Sequence, residues 1–68
     1  MSLKIEVEKE EDGRWLAELP ELPGVLAYGP TREEAIERTQ ALALHVLADR
    51  LDQGERVPDL GGLFSVVP

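Results

Sequence analysis

The chain has 68 residues, with 14 acidic and 7 basic side chains and a formal net charge of −7. A chain of this length forms a single domain, 1–68, and buries only about 60% of the surface of its unfolded form, so its core needs a supplement. There is no cysteine in the sequence. This excludes disulfides and thiolate metal sites and leaves oligomerisation as the common remedy.

The acidic balance limits the classes of partner. It repels phosphate backbones and anionic membranes, so we expect no direct binding of nucleic acid or membranes. The same field would attract a basic protein and raise the rate of encounter, although such a charge is also an ordinary aid to solubility. The apolar runs fall well short of the roughly 18 residues of a membrane span and the N-terminus lacks a secretory signal pattern, which predicts a cytoplasmic protein.

Two strands open the chain, each with a period-2 pattern that indicates one buried face. The apolar side of the first strand consists of Leu3, Ile5 and Val7, and that of the second strand, residues 14–19, consists of Trp15, Ala17 and Leu19. This alternation predicts a hairpin whose other face is polar.

The turn between these strands decides their register. A two-residue loop at 12–13 would set Glu8 against Ala17 and mix carboxylates into the core face. A three-residue loop at 11–13, with its glycine in the left-handed region, sets Val7 against Ala17 instead. We therefore predict the longer loop. Its register pairs Val7 with Ala17, Ile5 with Leu19, and Glu10 with Arg14.

A rigid corner separates the second strand from a short third one. Pro20 and Pro23 each withhold an amide donor and restrict the preceding residue, so the second strand must stop at Leu19. Residues 25–28 then form the third strand, which residues 29–30 (Gly-Pro) end. The three strands make an antiparallel meander.

A helix follows. Thr31 is placed to cap it and Glu34 to complete a capping box, so the helix starts at Arg32 and runs to about Gln53, with Gly54 just beyond its end. Its core stripe is predicted to be Ala35, Thr39, Leu42 and Val46, flanked by Ile36, Ala43 and Leu47. Leu44 and Leu51 project away from this stripe. They are either ordinary exposed leucines or are covered by a second surface.

The segment Leu63–Val67 reads as a last strand. An uncharged strand at the end of the chain is either paired inside its own sheet or lent to a neighbour, and the preceding Gly61–Gly62 would let it swing. The fold class is thus α+β, with the order β-β-β-α-β and one helix backing the meander. The expected oligomer interface consists of Leu44, Leu51, Leu63, Phe64, Val66 and Val67.

Catalytic, cofactor and metal residues are not predicted. His45, the single imidazole, lies in mid-helix, where Asp49 one turn later suits a surface pair. Carboxylates alternate along the first strand, but such neighbours lie about 6 to 7 Å apart, too far to grip one ion without loop ligands. Trp15 belongs to the core in the predicted register, whereas the face of Tyr28 stays open.

Some of these motifs carry a resemblance to a known family. The hairpin closed by Asp-Gly, the corner Pro20–Gly24, and Gly29 followed by Thr31 and Glu33-Glu34-Ala35 at the helix start resemble the HicB-like bacterial antitoxins over roughly residues 3–59. The resemblance implies a partial ribonuclease-H-like fold without an active site, assembled as a dimer or tetramer. It also implies a protein that is not an enzyme and whose partner is a small basic toxin of the HicA type that cleaves messenger RNA.

Two features depart from that family. Many members carry a C-terminal DNA-binding segment that this sequence does not show, so autoregulatory DNA binding is in doubt, and residues 57–62 differ from the proline-rich exit that the family would suggest. The leading hypothesis is an antitoxin-type module that occludes a basic toxin, with Glu6, Glu8, Glu18 and Tyr28 as partner-binding residues. The alternative is a stand-alone oligomeric scaffold or small-ligand binder without a toxin.

Overall fold

The fold was obtained as a computed structural model that describes residues 3–57, Phe64 and residues 67–68. Within these residues, three strands precede one helix. They are β1 (Glu6–Lys9), β2 (Trp15–Glu18), β3 (Leu26–Gly29) and α1 (Arg32–Asp52). The strands form one antiparallel sheet in the order β1-β2-β3, with α1 against one face, which confirms the α+β meander backed by one helix.

The β1–β2 hairpin has the predicted register. Val7 lies opposite Ala17. The Glu10 amide donates to the Arg14 carbonyl at 2.7 Å, and the Gly13 amide donates to the Glu10 carbonyl at 3.0 Å. Gly13 has a φ of 91°, in the left-handed region that favours glycine. The three-residue loop is therefore confirmed, and it keeps the carboxylates of β1 off the core face.

The proline corner connects β2 to β3 and adds to the core. The Leu19 amide donates to the Val25 carbonyl at 2.9 Å, so pairing of the two strands continues one residue beyond the regular ladder. Inside the corner, the Leu22 amide donates to the Leu19 carbonyl at 3.0 Å, and the Leu22 side chain is buried. The corner is therefore a compact turn that contributes Leu22 to the core at one end of the sheet.

Both ends of α1 match their sequence signals, with one difference. Thr31 Oγ1 accepts from the Glu34 amide at 3.1 Å, which confirms the cap. The reciprocal half of the capping box does not form, since the Glu34 carboxylate lies 3.6 Å from Arg38 Nη2 instead. At the other end, Gly54 has a φ of 79° and its amide donates to the Leu51 carbonyl. A bond from Glu55 to the Arg50 carbonyl completes a Schellman motif.

Small residues let α1 lie close to the sheet. A Cβ on Gly29 would stand 2.6 Å from the Ala35 amide nitrogen, so this contact requires glycine. Ala17 and Ala35 have no exposed surface. Between them, the buried Thr39 hydroxyl donates to the Ala17 carbonyl at 2.9 Å. This hydrogen bond fixes the helix on β2 through a polar contact inside an otherwise apolar layer.

The core lies on the β2 and β3 side of the molecule. Its buried cluster contains Leu19, Leu22, Val25, Ala43 and Leu47. The predicted core stripe is off by one position at its C-terminal half, because Leu42 and Val46 are half-buried while the flanking Ala43 and Leu47 are buried. The helix turns these two residues onto the proline corner. The predicted last strand, Leu63–Val67, lies outside the described residues except for Phe64 and Val67, neither of which is in a regular element.

Candidate partner-binding face

The face of the sheet opposite α1, called the outer face below, collects side chains from all three strands. Because alternate residues point to one side of a strand, the paired residues form rows across the sheet. The first row is Glu6, Glu18 and Leu26, and the second is Glu8, Leu16 and Tyr28. Glu10 and Arg14 continue the face at the hairpin end. Glu6, Glu8, Glu18 and Tyr28, which the sequence singled out, thus share one surface.

Like charges meet directly on this face. Glu6 lies opposite Glu18 in the register, with Glu8 two residues along the same side of β1. Directly opposed carboxylates in a sheet repel one another and lower stability. A shallow depression between them is lined by Glu6, Glu8, Leu16 and Glu18. The β1 side of the outer face therefore presents concentrated negative charge that the chain itself does not neutralise within the described residues.

The β3 side of the outer face is apolar, and Arg14 from the hairpin end lies against it. The Arg14 guanidinium lies 4.4 Å from the centroid of the Tyr28 ring, and its Nε donates to Asp12 Oδ2 at 2.7 Å. The Arg14 amide donates to Asp12 Oδ1 at 3.0 Å, and this bond, followed by the side-chain bond, lowers the pKa of Asp12 from its ordinary value of 3.8. Arg14 is thus committed to Asp12 and Tyr28 rather than to the carboxylates of β1.

A second arginine occupies the edge of the sheet. Arg38 Nη1 donates to the Tyr28 carbonyl at 2.8 Å. In an antiparallel pair of strands, residues that exchange hydrogen bonds alternate with residues whose backbone groups point the other way. Val25 bonds Leu19, so Tyr28, three residues further along, is of the second kind. Its carbonyl therefore points away from β2, toward the free edge of β3. Arg38 therefore closes part of that edge and ties it to α1.

No catalytic arrangement is found among the described residues. The predicted pair of His45 with Asp49 does not form, because Asp49 Oδ2 accepts from Gln53 Nε2 at 3.1 Å and His45 is exposed. In the same part of the chain, no group of three or more histidine or acidic side chains could hold a metal ion.

The described helix does not combine the length and the apolarity that crossing a membrane requires.

Sequence reasoning found the acidic half of the outer face and Tyr28 but missed the other residues of the apolar half. Leu16 and Leu26 were not singled out, although Leu16 has the same parity along β2 as Glu18 and so had to share its face. The Arg14–Tyr28 contact depends on the β2–β3 register, which the proline corner leaves undetermined. Leu44 and Leu51, predicted to project from the core stripe, are 64% and 48% exposed. Their role in an interface stays a prediction.

This architecture is similar to that of a protein domain of known structure. The three-stranded antiparallel sheet with one helix against its inner face is the fold of the N-terminal domain of the antitoxin HicB from Burkholderia pseudomallei, known from a crystal structure. The TM-score is 0.75 at 25% sequence identity, and the match covers 94% of this chain and 69% of that one. The chain is HicB-like, as its motifs predicted. No protein-family model and no curated protein matches the sequence.

Proposed function

We propose that this chain is an antitoxin-type protein-binding module that neutralises a small, basic, messenger-RNA-cleaving toxin of the HicA type by covering its surface. The observation that carries the proposal is the similarity to the N-terminal domain of an antitoxin along nearly the whole chain. A role in binding rather than in catalysis fits the outer face, where the charged and aromatic groups form a surface and not an acid–base pair or triad. The proposed role of the outer face is to bind another polypeptide.

The charge of the outer face supports a basic partner. Glu6, Glu8 and Glu18 concentrate negative potential at one side of the sheet in a chain of net charge −7. Charge complementarity of this kind steers a cationic protein into register and raises the association rate. It also relieves the repulsion between Glu6 and Glu18, because arginine or lysine side chains of a partner would stand between the two carboxylates.

The apolar half of the same face supports a stable contact after encounter. Leu16 is half-buried, and Leu26 and Tyr28 are each 39% exposed. Exposed aromatic and aliphatic side chains of this kind supply much of the binding energy at protein interfaces, and tyrosine is enriched among such residues. Tyr28 is held in place by Arg14 on its ring and by Arg38 on its carbonyl. A pre-positioned tyrosine loses little conformational entropy on binding.

The test is co-expression with a HicA-type toxin, and with any small basic protein that is encoded next to this chain. The chain should restore growth of cells that express the toxin and should copurify with it. The triple variant Glu6→Gln, Glu8→Gln, Glu18→Gln should bind at least tenfold more weakly in low salt, and the difference should shrink as salt screens the charges. The binding constant is measured by calorimetry.

A matched control separates the face from the total charge. Glu11→Gln, Glu33→Gln and Glu37→Gln together remove the same three charges from exposed positions outside the outer face, and this variant should bind almost normally. If both triple variants weaken toxin binding equally, the total charge of the chain, and not the outer face, accounts for the attraction. If no toxin is neutralised and no basic protein copurifies, the antitoxin role is wrong and the stand-alone scaffold or small-ligand binder becomes the better description.

A further inference from the structure

An open pocket, called the arginine pocket below, lies where the apolar half of the outer face meets the edge of β3. It has a volume of about 280 Å³ and is lined by Arg14, Tyr28, Gly29, Pro30 and Arg38. The Arg14 guanidinium lies 4.4 Å from the centroid of the Tyr28 ring, and Arg38 Nη1 donates to the Tyr28 carbonyl at 2.8 Å. Two cations therefore flank one aromatic residue in a chain whose formal net charge is −7.

Both guanidinium groups of the arginine pocket keep N–H donors for a ligand. Within the described residues, Arg14 uses only Nε, which donates to Asp12 Oδ2 at 2.7 Å. Arg38 uses Nη1 for the Tyr28 carbonyl, while its Nη2 lies 3.6 Å from the Glu34 carboxylate, beyond good hydrogen-bond distance. The two arginine side chains are 56% and 57% exposed, so water serves the remaining donors in the single chain.

A partner that covers Tyr28 must also cover Arg14, because the guanidinium lies on the tyrosine ring. The partner displaces the water, and each buried donor that is left without an acceptor then costs free energy. A cation enclosed at an interface without an opposite charge costs more. The partner of the proposed function is itself basic, so most of its surface would repel the two arginines. An acidic group of the partner at this point removes both costs.

The charges beside the arginine pocket favour a carboxylate over a phosphate. Asp12 and Glu34 already stand next to the two arginines. A doubly charged phosphate would meet these two carboxylates as well as the negative field of the whole chain. A carboxylate carries a single charge, and its two oxygens match the planar fork of a guanidinium.

We propose that the arginine pocket binds the carboxylate of an aspartate or glutamate side chain that the toxin carries within its otherwise basic contact surface. This inference rests on the antitoxin role proposed above and names a second contact on the same face. The reversed charge fixes the orientation of the toxin, since its basic residues meet the β1 side of the outer face and its acidic residue meets the β3 side. It also discriminates against basic proteins that lack such a group.

The sign of one change separates the arginine pocket from the general field. Arg14→Gln together with Arg38→Gln removes two positive charges, so the formal net charge of −7 becomes −9. The field of the whole chain alone would then bind a basic toxin more tightly. Loss of the pocket should instead weaken binding roughly tenfold, measured by calorimetry against the toxin. Urea denaturation verifies that the variant is folded.

A matched control removes the same charge elsewhere. Arg32→Gln together with Arg56→Gln changes two exposed arginines that do not line the pocket, and this variant should bind as tightly as the natural chain or slightly more tightly. The proposal is overturned if the Arg14 and Arg38 variant binds as tightly as the natural chain, or if the control is weakened equally.

A double-mutant cycle identifies the acidic residue of the toxin. Each aspartate and glutamate of the toxin is changed in turn to the corresponding amide. One of these changes should weaken binding to the natural chain about tenfold and have little further effect on the variant with Arg14→Gln and Arg38→Gln, because both partners then lack the same contact. If no acidic position of the toxin is coupled to the arginines, the proposal is wrong.

A titration without toxin tests the site by itself. Sodium acetate, added at constant ionic strength, should shift the NMR signals of the Arg14 and Arg38 guanidinium groups and saturate on the order of 10 mM. Shifts that do not saturate, or that saturate with inorganic phosphate and not with acetate, overturn the carboxylate site even if a toxin is neutralised. Saturation by acetate in a chain that neutralises no toxin would uphold the carboxylate site and refute the antitoxin role.

Discussion

On the inner face of the sheet the side chains that meet α1 are neutral, and they are small where the helix comes closest, whereas the outer face carries opposed carboxylates, an aromatic ring and an arginine. The inner contacts need close approach and have one geometry, so substitutions there should change stability. Most of the outer groups are exposed, and some of them repel each other, so substitutions there should change binding and affect stability weakly or even favourably. We therefore expect the inner face to determine the stability of the fold and the outer face to determine binding.

The largest effect is expected from Gly29→Ala on the inner face. The new Cβ would approach the Ala35 amide nitrogen to 2.6 Å, a backbone atom that moves only if the helix moves. We expect a loss of about 2 to 3 kcal/mol in the free energy of unfolding, measured by urea denaturation.

The matched control for this clash is Gly13→Ala in the hairpin loop. Nothing lies within 4 Å of a Cβ at this position, so it carries only the cost of a left-handed backbone, roughly 1 kcal/mol. Should Gly29→Ala cost less than Gly13→Ala, the close packing of α1 on β3 is not the constraint described above.

A smaller loss is expected from Thr39→Val, which keeps the shape and removes the buried hydroxyl. The Ala17 carbonyl faces β3 in the ladder opposite Ala27 and so retains a strand partner, which limits the cost to the lost hydrogen bond, about 1 kcal/mol. Urea denaturation measures it, with Thr39→Ser as the variant that keeps the donor. A Thr39→Val protein as stable as the natural one would mean that the hydroxyl is tolerated rather than useful.

On the outer face the sign should reverse. Glu6→Gln removes the repulsion with Glu18 and should raise the free energy of unfolding by roughly 0.5 kcal/mol at low salt, with the gain disappearing in concentrated salt. The control Glu33→Gln removes a carboxylate from the first turn of α1, where negative charge is favourable, and should lower stability slightly. A loss from both variants would contradict the contrast between the faces.

The smallest effect concerns the hairpin loop and pH. The pKa of Asp12 is lowered in the folded chain, mainly by the Arg14 amide, so its contribution to stability is present above the ordinary value of 3.8. It is lost as the pH falls through the lower folded pKa. The stability difference between the natural chain and Asp12→Asn should therefore shrink on acidification. A difference that is constant with pH would show that the charge of Asp12 has no part in closing the loop.

The sequence predicted those features that local chemistry determines. The Val7–Ala17 register followed from excluding carboxylates from the core, and the helix limits followed from Thr31 and Gly54. Contacts between distant residues were not predictable in this way. The Thr39–Ala17 bond spans 22 positions and depends on how α1 lies on the sheet. The same holds for Arg38 and the Tyr28 carbonyl, where a helix residue meets a strand edge.

The candidate site shows the same division. Strand alternation placed Glu6, Glu8 and Glu18 on one face before the fold was known, because parity along a strand is a local property. To assign Tyr28 to a face of the sheet, the β2–β3 register is needed as well. The proline corner sets this register, and the sequence does not specify the path of the corner. Arg14 was paired with Glu10 by register, and the backbone pairing is present, yet the Arg14 guanidinium contacts Asp12 and the Tyr28 ring.

The Arg38 contact at the Tyr28 carbonyl has a consequence for growth of the sheet. A polymer that lengthens strand by strand needs a receptive border on both sides of every subunit, one to join the previous unit and one to receive the next. Arg38 occupies part of one border, along β3, and so disfavours the addition of a further strand there. This single contact therefore counts against fibril growth in a small protein that has apolar side chains exposed to water.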